Sequence, residues 1–166
     1  VEVFLDETLD PDGLRAAARV ITDRALAAHL AEQSGWSHPT DCDRLDAAFA
    51  DLAAAGILAR QHFSCCGTCG ANDIREAMQQ AEKDGYASRG YTFFHLQDTE
   101  HAVAGDGLYL SYGARHPDEA AAVAIGHEIV MVLRAHGLAP TWNGRHAHRI
   151  ALPLAWRRRR DDPAAR

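Results

Sequence analysis

Apolar positions follow a helical period through the first half of this chain and an alternating one through much of the second. Leu14, Ala18, Ile21, Ala25 and Ala28 recur at helical spacing behind Asp10-Pro11-Asp12, which predicts a first helix with its cap in place. Gly35-Trp36-Ser37-His38-Pro39 interrupts it. Thr40 and Asp43 then form a capping-box start for a second helix that turns Leu45, Ala48, Phe49 and Leu52 inward, and Gly56 closes it. Ile57-Leu58-Ala59 reads as a short extended piece. Ile74, Ala77, Met78 and Ala81 mark a third helix, with Asn72 or Asp73 as its expected N-cap and Gly85 as its stop.

Past Gly90 the pattern changes. Tyr91-Thr92-Phe93-Phe94-His95-Leu96 and Leu108-Tyr109-Leu110-Ser111-Tyr112 are aromatic-rich and alternate, as strands do, with a short helical turn expected over residues 98–103. Pro117 should open a long helix with Ala122, Ile125, Ile129, Val132 and Leu133 inward, ended by Gly137. Two more strands are expected over residues 139–142 and 147–152, joined by Asn143-Gly144. There is no internal repeat or low-complexity linker. The expected fold class is α+β: a helical N-terminal half followed by a small, mainly antiparallel sheet with one long packed helix. Residues 1–160 are expected to form a single domain and 161–166 a flexible C-terminal tail.

Composition narrows the function classes. With 166 residues, 47% hydrophobic and 24% charged, the chain can bury a real core, about 70% of its unfolded surface, without a staple. No apolar run reaches the length of a membrane span, and Val1-Glu2-Val3-Phe4-Leu5-Asp6-Glu7 lacks the basic start and apolar stretch of a signal peptide, so a cytoplasmic location and no membrane partner are expected. A net charge of −6 disfavours nonspecific nucleic-acid binding. Arg157-Arg158-Arg159-Arg160 is the local exception, read first as a solvated terminal charge run and second as a contact for phosphates or anionic lipid.

The sharpest chemistry lies in His62-Phe63-Ser64-Cys65-Cys66-Gly67-Thr68-Cys69-Gly70, with three of the four cysteines. Structural disulfides are not expected in a reducing compartment. Cys66-Gly-Thr-Cys69-Gly70 has the form of a zinc knuckle, which supplies half of a tetrahedral site. Candidates to complete it are Cys65 and His62 locally, or Cys42, His95, His101, His146 and His148 from elsewhere. Adjacent residues point apart, so recruiting Cys65 needs a curled loop, whereas His146 and His148, two apart on an expected strand, would share a face. The candidate set for the metal is Cys65, Cys66, Cys69, His62 and His95, with zinc as the ion.

The same atoms allow a thiol redox motif, in which Cys66 attacks a disulfide and Cys69 resolves it. Against that, thioredoxin-like proteins place the motif after a strand within a βαβ unit, and this front half reads as helical. Inert buried thiols are the third possibility. Other histidines add little: His29, His38, His116 and His136 lie near helix ends or prolines, and His127-Glu128 lacks the second histidine of a zinc-protease motif. His95-Leu96-Gln97-Asp98-Thr99-Glu100-His101 crowds titratable groups at a strand exit, though a cap by Asp98 or Thr99 accounts for it.

Segments 43–49, 63–70, 90–100 and 107–113 together resemble an actinobacterial family of uncharacterised proteins, a domain of unknown function. The resemblance spans about residues 40 to 160. It implies no activity; it points to the Phe-Ser-Cys-Cys-x-x-Cys-Gly loop and the His-Leu-Gln-Asp-Thr-Glu stretch as family hallmarks. The expectation is therefore a small cytoplasmic metal-binding protein with enzymatic activity left open. A thiol redox enzyme or sensor is the alternative, and an interaction or regulatory module with a purely structural site stands behind both. The partner, a protein or a small molecule, is unspecified, as is the oligomeric state.

Overall fold

Short polar side chains start the helices, and close backbone approaches decide how they meet the sheet. The computed structural model describes residues 10–161; the signal-peptide reading of the first seven residues and the tail reading beyond Asp161 lie outside them. Two compact units divide the chain: residues 10–37 with 159–161, and residues 38–158.

In the first unit, Asp10 accepts the Asp12 and Gly13 amides and opens α1, Pro11–Gln33. None of its residues is buried, and Leu14, Val20 and Ile21 are at least half exposed. The Arg159 guanidinium donates to the carbonyls of Gln33, Trp36 and Ser37, so a cation meets the end of this helix, where backbone carbonyls are unsatisfied. In the second unit Arg158 binds Asp46 and Gln61. Two of the four arginines therefore hold structure, contrary to the solvated-run reading.

The second unit begins with α2, Asp41–Ala54, whose Thr40–Asp43 capping box forms as expected, with Leu45, Ala48, Phe49 and Leu52 all buried. There follow β1 (Ile57–Arg60), α3 (Gly67–Lys83), β2 (Gly90–Phe93), α4 (Leu96–Ala104), β3 (Leu108–Ala114), α5 (Glu119–Ala135) and β4 (Ile150–Leu152). The sheet order is β1-β2-β3-β4, with β1 parallel to β2 and the other pairs antiparallel. The fold is α+β, as the periodicity predicts.

Side chains alternate across the sheet and sort into two cores. Ile57, Phe94, Leu108, Leu110, Ile150 and Leu152 join α2 and α5 in the larger cluster. Leu58 and Phe93 face the other way, against Ile74, Met78 and Ala81 of α3. The helix α3 thus crosses over between two parallel strands and covers the face of the sheet that α2 and α5 leave.

Four boundaries depart from expectation. Helix α3 starts at Gly67 with Cys66 as N-cap, well before Asn72. Strand β2 ends at Phe93, and His95 caps α4 with Asp98 in its first turn, so Asp98 answers the cap and does not make it. The stretch 139–142 contributes one bridge, Thr141 to Ala151. His146 and His148 occupy a turn, not a strand, and the shared-face argument for them lapses.

Gly90 lies where β2, β3 and α5 converge: a Cβ there would sit 2.8 Å from the Gly113 carbonyl oxygen and from Ile125. Gly90→Ala is expected to lower unfolding stability by about 1–3 kcal/mol, because a backbone oxygen cannot move aside as a side chain can. Urea denaturation checks this, and an unchanged midpoint would contradict the packing described.

Candidate metal centre

The chain leaves β1 as a narrow extension of the sheet. Phe94 donates its amide to the Arg60 carbonyl, Phe63 to Phe94, and Leu96 to Ser64, so residues 60–64 run beside the exit of β2. Side chains hold the same stretch. His62 Nδ1 lies 2.8 Å from the Thr99 hydroxyl. The Ser64 hydroxyl donates to the Asp73 carboxylate on α3, and the Phe63 ring packs edge-on against Phe93.

His62 and Ser64 adopt left-handed backbone, with φ of 51° and 64°. Such conformations in non-glycine residues cost of order 1–3 kcal/mol each and persist where surrounding bonds over-determine them. Here they curl the loop. Cys65, expected to point away from Cys66, is brought round to it. Cys66 returns to extended backbone (φ −151°, ψ 174°), and α3 begins at the next residue.

Gly70 sets how close that first turn comes to the sheet. A Cβ at Gly70 would lie 2.5 Å from Phe93 Cε2 and 2.8 Å from Cζ, so only glycine lets the helix come this close to the ring. A zinc knuckle uses the glycine after its second cysteine for a tight turn; this one is helical, and its value is the absent side chain.

The outcome is that the sulfurs of Cys65, Cys66 and Cys69 all lie within 4.8 Å of one another. A tetrahedral ion with Zn–S bonds of about 2.3 Å holds its sulfurs about 3.8 Å apart, inside that limit. Cys65 is exposed and the other two are half-buried, so the cluster opens to solvent. Among the described residues no other His, Cys, Asp or Glu joins the group.

Protons are shared unequally across the three thiols. No ordinary side-chain hydrogen bond caps α3 at Cys66, but the amides of Cys69 and Thr68 turn their positive ends toward its sulfur. The Cys69 amide is the main reason the Cys66 pKa falls below its ordinary value, with S–H donation from Cys69 and Cys65 adding to it. Cys69 is pushed up to about 12, chiefly by its hydrogen bonds to Cys65 and Cys66 and then by their negative charge. The Cys66 sulfur is thus the one of the three whose thiolate its surroundings favour. A cation replaces the thiol protons.

The two expected histidines stand beside this group without entering it. His62 has one nitrogen on Thr99 and lies edge-on against Phe94 and Trp156. His95, 6% exposed, accepts the Asp98 amide at Nδ1 (3.2 Å), and its Nε2 lies 3.1 Å from Asp98 Oδ2. Its ring packs against the start of α3, since a Cβ at Gly67 would be 3.5 Å from Nε2. Asp98, 3% exposed, also takes the His95 amide and both terminal nitrogens of Arg149, which in turn donates to the Tyr109 carbonyl. This network, buried at His95 and Asp98 and half-buried at Arg149, backs the first residue of α3. Arg149 was not legible as a partner, because nothing local links positions 98 and 149. Cys42, 1% exposed in α2, is remote from the loop in sequence and does not join the cluster.

One objection to redox chemistry also falls. The C-x-x-C pair follows β1 at the head of α3, and α3 leads to the parallel partner β2, so the motif does follow a strand within a βαβ unit. Sequence periodicity hid this because β1 is four residues long and its partner lies thirty-three positions on.

Burial holds the His95 imidazole below its ordinary pKa, outweighing the Asp98 carboxylate, and burial does the same to His62. Protonation therefore costs the folded state: stability is whole above the unfolded value of about 6.5 and declines as pH falls below it toward the lowered folded values. Melting temperature should drop between about pH 7 and about pH 5, less steeply in His95→Asn, which keeps a capping acceptor. A flat profile in the parent would contradict the burial of these rings.

A family model described as Domain of unknown function (DUF6891) matches residues 1–160. No curated protein and no solved structure matches the chain. No helix among the described residues is long and apolar enough to cross a membrane.

Proposed function

The chain belongs to the DUF6891 family, a domain of unknown function, and from its own geometry we propose that it is a small zinc-binding protein whose ion sits on Cys65, Cys66 and Cys69. The observation that carries this reading is the convergence of three sulfurs within 4.8 Å on a solvent-facing loop that backbone bonds and two left-handed residues hold in place. Thiolate donors with no carboxylate among them favour zinc and softer ions over magnesium or calcium. His62 and His95 keep the loop and the α4 start in position in this reading. The four cysteines are free, which supports a reducing, cytoplasmic setting. The family match over residues 1–160 supports treating the chain as one module.

A second reading has its own support. Placement of Cys66 and Cys69 at the head of α3 within a βαβ unit, with the first thiol acidified and the second held protonated, suits thiol–disulfide exchange. Oxidised glutathione would then form a reversible Cys66–Cys69 disulfide even in zinc-loaded protein. Bound zinc that blocks this reaction favours the first reading.

Protein purified without a polyhistidine tag should carry one zinc per chain by elemental analysis, lose it in Cys66→Ser or Cys69→Ser, and keep it in Cys42→Ala. Affinity should weaken as pH falls, because protons return to the sulfurs. Metal-free protein that takes up no zinc on addition would contradict the proposal.

A further inference from the structure

Three sulfurs leave a tetrahedral ion one donor short, and structural zinc sites are closed by four. Among the described residues no other His, Cys, Asp or Glu places a ligand atom with these three sulfurs. His62 is bonded to Thr99, His95 uses one nitrogen to accept an amide and turns the other to a carboxylate, and Asp73 accepts the Ser64 hydroxyl. Cys42 is buried in α2. An open position on an all-sulfur set exposed to solvent is a place for an external soft donor.

The surface beside the cluster indicates what that donor carries. On α3, Cys66, Cys69, Asp73, Glu76, Ala77, Gln80 and Lys83 recur at intervals of three and four and so lie along one stripe. A cleft of about 530 Å³ follows it, walled by Phe63 of the cysteine loop and by Asp73, Glu76, Gln80 and Lys83. Its charges are mixed: two carboxylates stand nearer the cysteines and one ammonium further along, with amide groups between. A ligand bearing an ammonium group, a carboxylate and a thiol matches that order.

Resting on the zinc reading above, we propose that this site binds a small peptide-like thiol. The sulfur of the ligand fills the fourth position of the ion, losing its S–H proton to solvent as the S–metal bond forms. The zwitterionic body lies in the cleft along α3, its ammonium toward Asp73 and Glu76 and its carboxylate toward Lys83. No electron transfer is involved.

Cobalt(II) in place of zinc makes the coordination visible. Full-length protein loaded with one cobalt would be titrated with glutathione, with 2-mercaptoethanol and with S-methylglutathione, while dialysis checks that the metal stays bound. Glutathione should intensify the sulfur-to-cobalt charge-transfer band and bind at least tenfold more tightly than 2-mercaptoethanol, and S-methylglutathione should leave the spectrum unchanged. The double variant Glu76→Gln/Lys83→Gln should reduce that preference to less than threefold. Cobalt bound with no spectral response to either thiol overturns the open fourth position, and equal affinity for the two thiols overturns the role of the cleft. Failure to bind cobalt at all removes the zinc reading itself, a result separable from both.

Discussion

Everything at the cysteine loop depends on how closely α3 can approach the sheet. With no side chain at Gly70, the first turn rests against the Phe93 ring, and a methyl group there would collide with it at 2.5 Å. Phe93 is itself immovable, 2% exposed and wedged among Leu58, Ile74 and Met78. Raising the helix by even an ångström would separate Cys69 from the loop that carries Cys65. A packing contact between one glycine and one aromatic ring thus decides whether three thiols can share a proton or an ion.

Two kinds of bond share the rest of the work. Backbone pairing of residues 60–64 with the exit of β2 lays the loop down, and the His95–Asp98–Arg149 network ties α4 to the chain just before β4. The buried Asp98 carboxylate would be costly without these partners, and with them it fixes geometry. The imidazole, kept neutral by burial, stands against the first residue of α3. The cluster is therefore open to solvent on one side and rigidly backed on the other, the combination a ligand-exchanging centre requires.

Local signals were readable and long-range ones were not. The Thr40–Asp43 capping box, the inward face of α2 and the closing role of Gly56, Gly85 and Gly137 follow from neighbouring residues, and all appear as expected. The start of α3 differs from the expected one because Asn72 and Asp73 are strong cap formers, yet extension of the loop along β2 sets the helix running at Gly67. Parallel pairing of β1 with β2 and the reach of Arg149 to Asp98 each join positions about thirty to fifty apart, which periodicity does not encode. At the site, the thiol cluster was visible in spacing alone. The inclusion of Cys65 depends on left-handed backbone at His62 and Ser64, residue types that seldom announce it.

X-ray absorption at the zinc edge of the loaded protein tests the central claim most directly, because it counts the sulfurs around the ion. Three sulfur neighbours contributed by the chain, at about 2.3 Å, are predicted for the parent, falling to two in Cys65→Ser. A parent spectrum with two sulfurs completed by imidazole nitrogens would contradict the account, since the shared three-thiol geometry would then not be what holds the metal.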